Sequence, residues 1–153
     1  MKVLLPVEGS KFSTAAIKRF CKLFDESVNT EVEIFSAAEP VFTAAEPFMV
    51  SAEFIQDADT VALRKANEAV AQAEAELRRE YPGLTTGLTT KVVTGAPKQA
   101  IVEEAEKWGA DLIIMGSHGY GFWQRALLGS VSDAVVHHAP CSVLVVRSPG
   151  TVL

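Results

Sequence analysis

The chain opens with an unbroken apolar run, VLLPV at 3–7, that stops at Glu8, Gly9 and Ser10. A short run of this kind, closed by turn residues, predicts a strand buried on both faces. Four later segments also read as strands: EVEIFSA at 31–37, alternating at first and then buried, LTTKVVTG at 88–95, DLIIMG at 111–116 and SVLVVR at 142–147. Between them the apolar positions recur at helical spacing. Ala16, Ile17, Phe20, Cys21 and Phe24 form one stripe, predicting a helix over 13–26 with Ser13 as its cap. An Ala-rich stretch predicts a long helix over 58–80, stopped by YPG. Pro97 suits the first turn of a third helix that ends at Trp108 and Gly109, and a fourth runs over 129–138. The segment 38–57, with Pro40, Pro47 and AAEP written twice, reads as an irregular loop whose duplication is a matter of composition. Strand and helix thus alternate from end to end. That pattern implies one α/β domain over 1–153, a mostly parallel sheet with helices on both faces.

Composition changes this picture little. Of 153 residues, 48% are hydrophobic and 22% charged, which fits a packed globule. The net charge of -5 and the lack of a basic stripe argue against nucleic acid and against a membrane surface. Two distant cysteines without a CxxC spacing fit a reducing compartment and buried small side chains. The expected localisation is cytoplasmic.

The chemistry is concentrated in GSHGYGFWQRALLGS, residues 116–130. Glycines after a strand either make a turn or let a ligand approach the main chain, and spacing alone does not choose between the two. Neither a P-loop nor a dinucleotide GxGxxG is present. The carboxyl ends of the first and fourth strands, Pro6-Val7-Glu8-Gly9 and Met115-Gly116-Ser117-His118-Gly119, would form one crevice if those strands are neighbours. The helix starting near Gly129-Ser130 would then aim its free N–H groups at a phosphate lying there.

GSHG, nine residues and then GS resembles the G-x-x-G-x9-G-[S/T] signature of the universal stress protein family, in its ATP-binding branch. The resemblance extends over VLLPVEGS, TGAPKQAIVEEAEKWGADLIIMGSHG and SVLVVR, nearly the whole chain. It implies an adenine-nucleotide α-hydrolase-like fold with five parallel strands in the order 3-2-1-4-5. It further implies that Pro6, Val7 and Glu8 line the adenosine end, that Ala37 touches the base, and that Met115 and Gly116 lie beside the sugar. Ser117, His118, Gly119, Gly129, Ser130, Val131 and Ser132 would surround the phosphates of ATP, alone or with Mg2+ held mainly by those phosphates. Glu8 stands where the family commonly has Asp, and Ala37 is smaller than the branched residue often found there. The family also implies a homodimer through the last strand, at Val143–Val146, an apolar edge that would otherwise stand open.

Other residues carry weaker chemistry. His137 and His138 are adjacent on a helix and point about 100° apart, so they do not form a metal site. Phe122, Trp123 and Arg125 in the spacer read as residues that pin the loop or meet solvent. Glu103, Glu104, Glu106 and Lys107 read as the wet face of the third helix. No nucleophile–base pair or carboxylate pair stands beside the glycines, so no catalytic residue is assigned, and hydrolysis of ATP is expected to be slow at most. The expected role is a nucleotide-responsive regulatory or stress-resistance module that answers to a protein partner. The rival readings are a nucleotide-free dimeric scaffold and an adenylyl-transfer or hydrolytic enzyme.

Overall fold

In the computed structural model, the described residues are 1–24, 29–40, 51–84, 87–118 and 128–147. The elements follow in strict alternation: β1 (Lys2–Pro6), α1 (Lys11–Leu23), β2 (Glu31–Ala38), α2 (Ala52–Glu80), β3 (Leu88–Thr94), α3 (Pro97–Trp108), β4 (Leu112–Gly116), α4 (Ser130–His138) and β5 (Ser142–Val146). All pairings are parallel and the sheet order is β3-β2-β1-β4-β5, as the family resemblance implied.

β1 suits the centre of the sheet because Val3, Leu4 and Leu5 are apolar and fully buried on both of its faces. Val3 and Leu5 pack with Ile17, Phe20, Val70 and Leu77 beneath α1 and α2. Leu4 turns the other way, to Phe35, Ile101, Ala105, Ile113 and Val135 beneath α3 and α4. Two cores on opposite faces of one sheet are what strands apolar on both sides require. The chain leaves β1 for β2 on one side and later inserts β4 on the other, pairing Val3 with Leu112 and Leu4 with Ile113. The strand order therefore reverses between β1 and β4, and the crevice there lies outside their carboxyl ends.

Two helix boundaries differ from the sequence expectation. Ser10, not Ser13, caps α1: its Oγ accepts from the N–H groups of Phe12 and Ser13 at 3.1 and 3.4 Å. Ser13 is instead buried one turn in, its hydroxyl donating to Ser10 O at 2.9 Å. α1 ends at Leu23, three residues short, and 25–28 lie outside the described residues. α2 begins at Ala52 under a Ser51 cap, so 52–57 are helical and not loop. Its first buried residue is Ala66. A helix whose opening turns bury no stripe carries no periodicity to read, and only its cap announces it. Residues 41–50 of the expected loop lie outside the described residues. Among the described residues no helix is long and apolar enough to cross a membrane.

Candidate functional site

A cleft of about 520 Å³ opens at the switch point between β1 and β4. Pro6, Val7, Glu8, Ala37, Met115, Gly116, His118, Gly129, Ser130, Val131 and Ser132 all line it. Ser117 does not, and Gly119 lies outside the described residues, as do Phe122, Trp123 and Arg125.

On the β1 side, the Val7 N–H donates to Phe35 O at 2.8 Å, which ties the strand end to β2. Gly9 then takes the left-handed φ of 85° that turns the chain into α1. Glu8 is left at the rim, its carboxylate accepting the Ser10 hydroxyl proton. The protein around the cleft desolvates this carboxyl and pushes its pKa up, while the hydrogen bond from Ser10 opposes the rise. Glu8 is thus joined to the capping residue of α1 as well as open to the cleft.

On the β4 side the glycines have separate causes. A Cβ on Gly116 would stand 2.6–2.8 Å from Cβ, C and O of Phe12, so α1 can cross the end of β4 only over a glycine. Gly116 also faces the cleft, but close helix packing suffices to explain it. Ser117 is not among the residues that line the cleft. It is 1% exposed, its N–H donates to Val146 O of β5 at 2.8 Å, and its hydroxyl bonds Nδ1 of His118 at 2.9 Å. Its carbonyl accepts the Gly129 N–H at 2.8 Å. A Cβ on Gly129 would press to 3.3 Å on that same carbonyl oxygen and on the His118 Cα. The His118 ring lies 5.3 Å from that of Phe12.

The electrostatic focus is the start of α4. Gly129 is its N-cap and makes no side-chain cap, whereas Ser10 and Ser51 cap α1 and α2. The first helical bond is Asp133 N to Gly129 O at 2.9 Å. The N–H groups of Ser130, Val131 and Ser132 therefore have no partner among the described residues, and all three residues face the cleft. Such a helix end presents donors and about half a positive charge to an anion.

The opposite wall was missed from the sequence. Phe35, Pro97 and Ile101 line it, with Ser36 contributing although its residue is 3% exposed. The signals were present: Phe35 and Ala37 share one face of β2 by the period of two, and Pro97 and Ile101 share one face of α3 at i, i+4. Knowing that this face closes a cleft needed the third dimension.

The residues set aside behave in two ways. His137 and His138 each bond through Nδ1 to the carbonyl four residues back, at 2.8 Å, and no metal-binding group of three occurs among the described residues. Glu104, expected on the wet face of α3, is buried at 7% exposure and bonds Lys91 Nζ at 2.6 Å. Cys21 and Cys141 are free thiols, only partly buried.

A parallel sheet with helices on both faces and a cleft at its switch point defines an open-sheet α/β protein. The model of the universal stress protein family matches residues 1–147, and the chain belongs to that family. It is 30% identical over 151 residues to Universal stress protein MJ0531 of Methanocaldococcus jannaschii, across 97% of this chain and 82% of that protein. Among solved structures, a universal stress protein in complex with cAMP is 27% identical, covers 97% of each chain and superposes with a TM-score of 0.59. A family member from Arabidopsis thaliana with AMP bound shares the fold at a TM-score of 0.69, over 98% of this chain and 93% of that one, at 16% identity.

Proposed function

We propose that this universal stress protein binds an adenine nucleotide in the β1–β4 cleft and acts as a nucleotide-responsive module in the cytoplasm. The observation that carries the reading is the uncapped α4 N-terminus, opening into the same cleft as an apolar wall of Phe35, Ala37, Pro97 and Ile101. A nucleotide has those two halves, a flat apolar base and an anionic tail. The volume of about 520 Å³ is in the range of small-molecule sites. The structures of relatives holding cAMP and AMP support the same ligand class.

In this reading the base lies between Ala37 and the α3 wall, and Glu8 stands at the ribose as a hydrogen-bond acceptor. The phosphates meet the main chain from Gly129 to Ser132 and the Ser130 hydroxyl, with His118 beside them. The GSHG-x9-GS signature extends the ligand to ATP, with Mg2+ carried on its phosphates. Turnover is not the output. Glu8 is bound to Ser10, and no pair of groups poised to activate a water faces the cleft among the described residues. The output passes instead through a dimer on β5 and through a protein partner.

The test is titration calorimetry of MgATP and of AMP into nucleotide-stripped protein, with phosphate release followed alongside. We expect saturable binding of both and phosphate release much slower than one turnover per minute. A folded protein that binds neither nucleotide at millimolar concentration overturns the reading in favour of a nucleotide-free scaffold. Fast release of phosphate or pyrophosphate overturns it in favour of an enzyme.

A further inference from the structure

The two serines of the GSVS turn at 129–132 stand in different surroundings. Ser130 is exposed to the cleft. Ser132 is 2% exposed, and its Oγ points back into the protein, 2.9 Å from Ser117 O and 3.0 Å from Gly129 O. A hydroxyl has one proton to donate. A phosphate at neutral pH only accepts, so the Ser132 hydroxyl would have to abandon both carbonyls to serve it. Ser117 O gathers two donors, the Gly129 N–H and the Ser132 hydroxyl, and the same residue's N–H is anchored on Val146 O. The end of β4, the edge of β5 and the first turn of α4 are thereby fastened at one buried residue.

We infer that Ser132 is a positioning residue: its hydroxyl fastens the α4 N-terminus to Ser117 so that the main-chain donors of 130–132 face the ligand, and it does not itself donate to a phosphate. The inference deepens the nucleotide reading and rests on it for the identity of the ligand. The fastening itself is a property of the protein without ligand.

That difference supplies the test. Amide hydrogen exchange at Gly129 is measured in ligand-free native protein, Ser132→Ala and Ser132→Thr, and AMP and adenosine are titrated into each. We expect exchange at Gly129 to quicken roughly five- to tenfold in Ser132→Ala, the scale of one lost hydrogen bond. Ser132→Thr, which keeps the hydroxyl, should restore slow exchange, and AMP should lose affinity in the alanine variant while adenosine does not. Unchanged exchange at Gly129 in Ser132→Ala overturns the inference, above all where AMP affinity still falls, because the hydroxyl is then a direct ligand. If the native protein binds no adenine nucleotide, the functional reading fails, and the exchange rates still decide the role of Ser132.

Discussion

Single residues in this sheet show how burial rewrites chemistry that looks ordinary in one dimension. Glu33 follows Val32 in a strand that reads as alternating, yet it is 6% exposed and its Oε1 has no hydrogen-bond partner among the described residues. Burial pushes its pKa up first, the charge of Glu104 adds to the rise, and Lys91 opposes it. A carboxyl whose folded pKa exceeds its unfolded value binds its proton more tightly in the folded chain. Its contribution is complete below the unfolded pKa and is lost as pH rises through the folded one. Glu33→Gln, which mimics the protonated side chain, should therefore stabilise the protein at pH 7.5 by about 1 kcal/mol, the scale of one buried hydrogen bond. The gain should vanish near pH 4.5. Thermal melts at the two pH values check this, and an equal effect at both would show that folding leaves the Glu33 pKa unshifted. The Glu33–Glu104 approach was illegible in the sequence because it joins β2 to α3 across 71 positions. Lys91, on β3, completes the group only in the folded sheet.

At the scale of elements, the strands were the most legible part, since a run apolar on both faces has few other fates. Helix ends were legible where a cap fixed them, as at Pro97 and at Gly109 with its left-handed φ of 72°. They were misread where the cap preceded the visible stripe, as with Ser10 and Ser51. The start of α4, which like that of α3 lacks a side-chain cap, offers glycine where α1 and α2 have serine, and its first N–H groups have no partner among the described residues. That makes Ser130→Pro a clean perturbation. Proline is suited to the first helical position, and Gly129 before it already has φ -72° and ψ 158°, the extended geometry a proline demands of its predecessor. The variant should fold with nearly native stability while losing one N–H and one hydroxyl from the cleft. We expect AMP and ATP to bind more weakly by about a hundredfold or more, two hydrogen bonds to a charged group being lost, and adenosine to be little affected. Equal losses for adenosine would place the phosphates elsewhere.

For the molecule as a whole, the open question is what the sheet does at its β5 edge. The order β3-β2-β1-β4-β5 leaves β5 with β4 on one side and no described strand on the other. Val143, Leu144 and Val145 remain only partly buried. A row of unpaired main-chain groups flanked by such residues is the kind of edge that proteins either blunt with charge or pair with another chain. No charged residue occurs within Ser142–Val146, so pairing with a second copy across a two-fold axis is the reading that matches the composition. Sedimentation of the native protein should then give a dimer, and Val145→Lys should give a monomer at the same concentration. Because the Ser117 N–H donates to Val146 O within one chain, the monomer should keep the fastened turn at Gly129 and still bind AMP. A native protein that sediments as a monomer at every concentration would leave the β5 edge as a surface for a different protein. A monomeric variant that no longer binds AMP would mean that the second subunit completes the cleft.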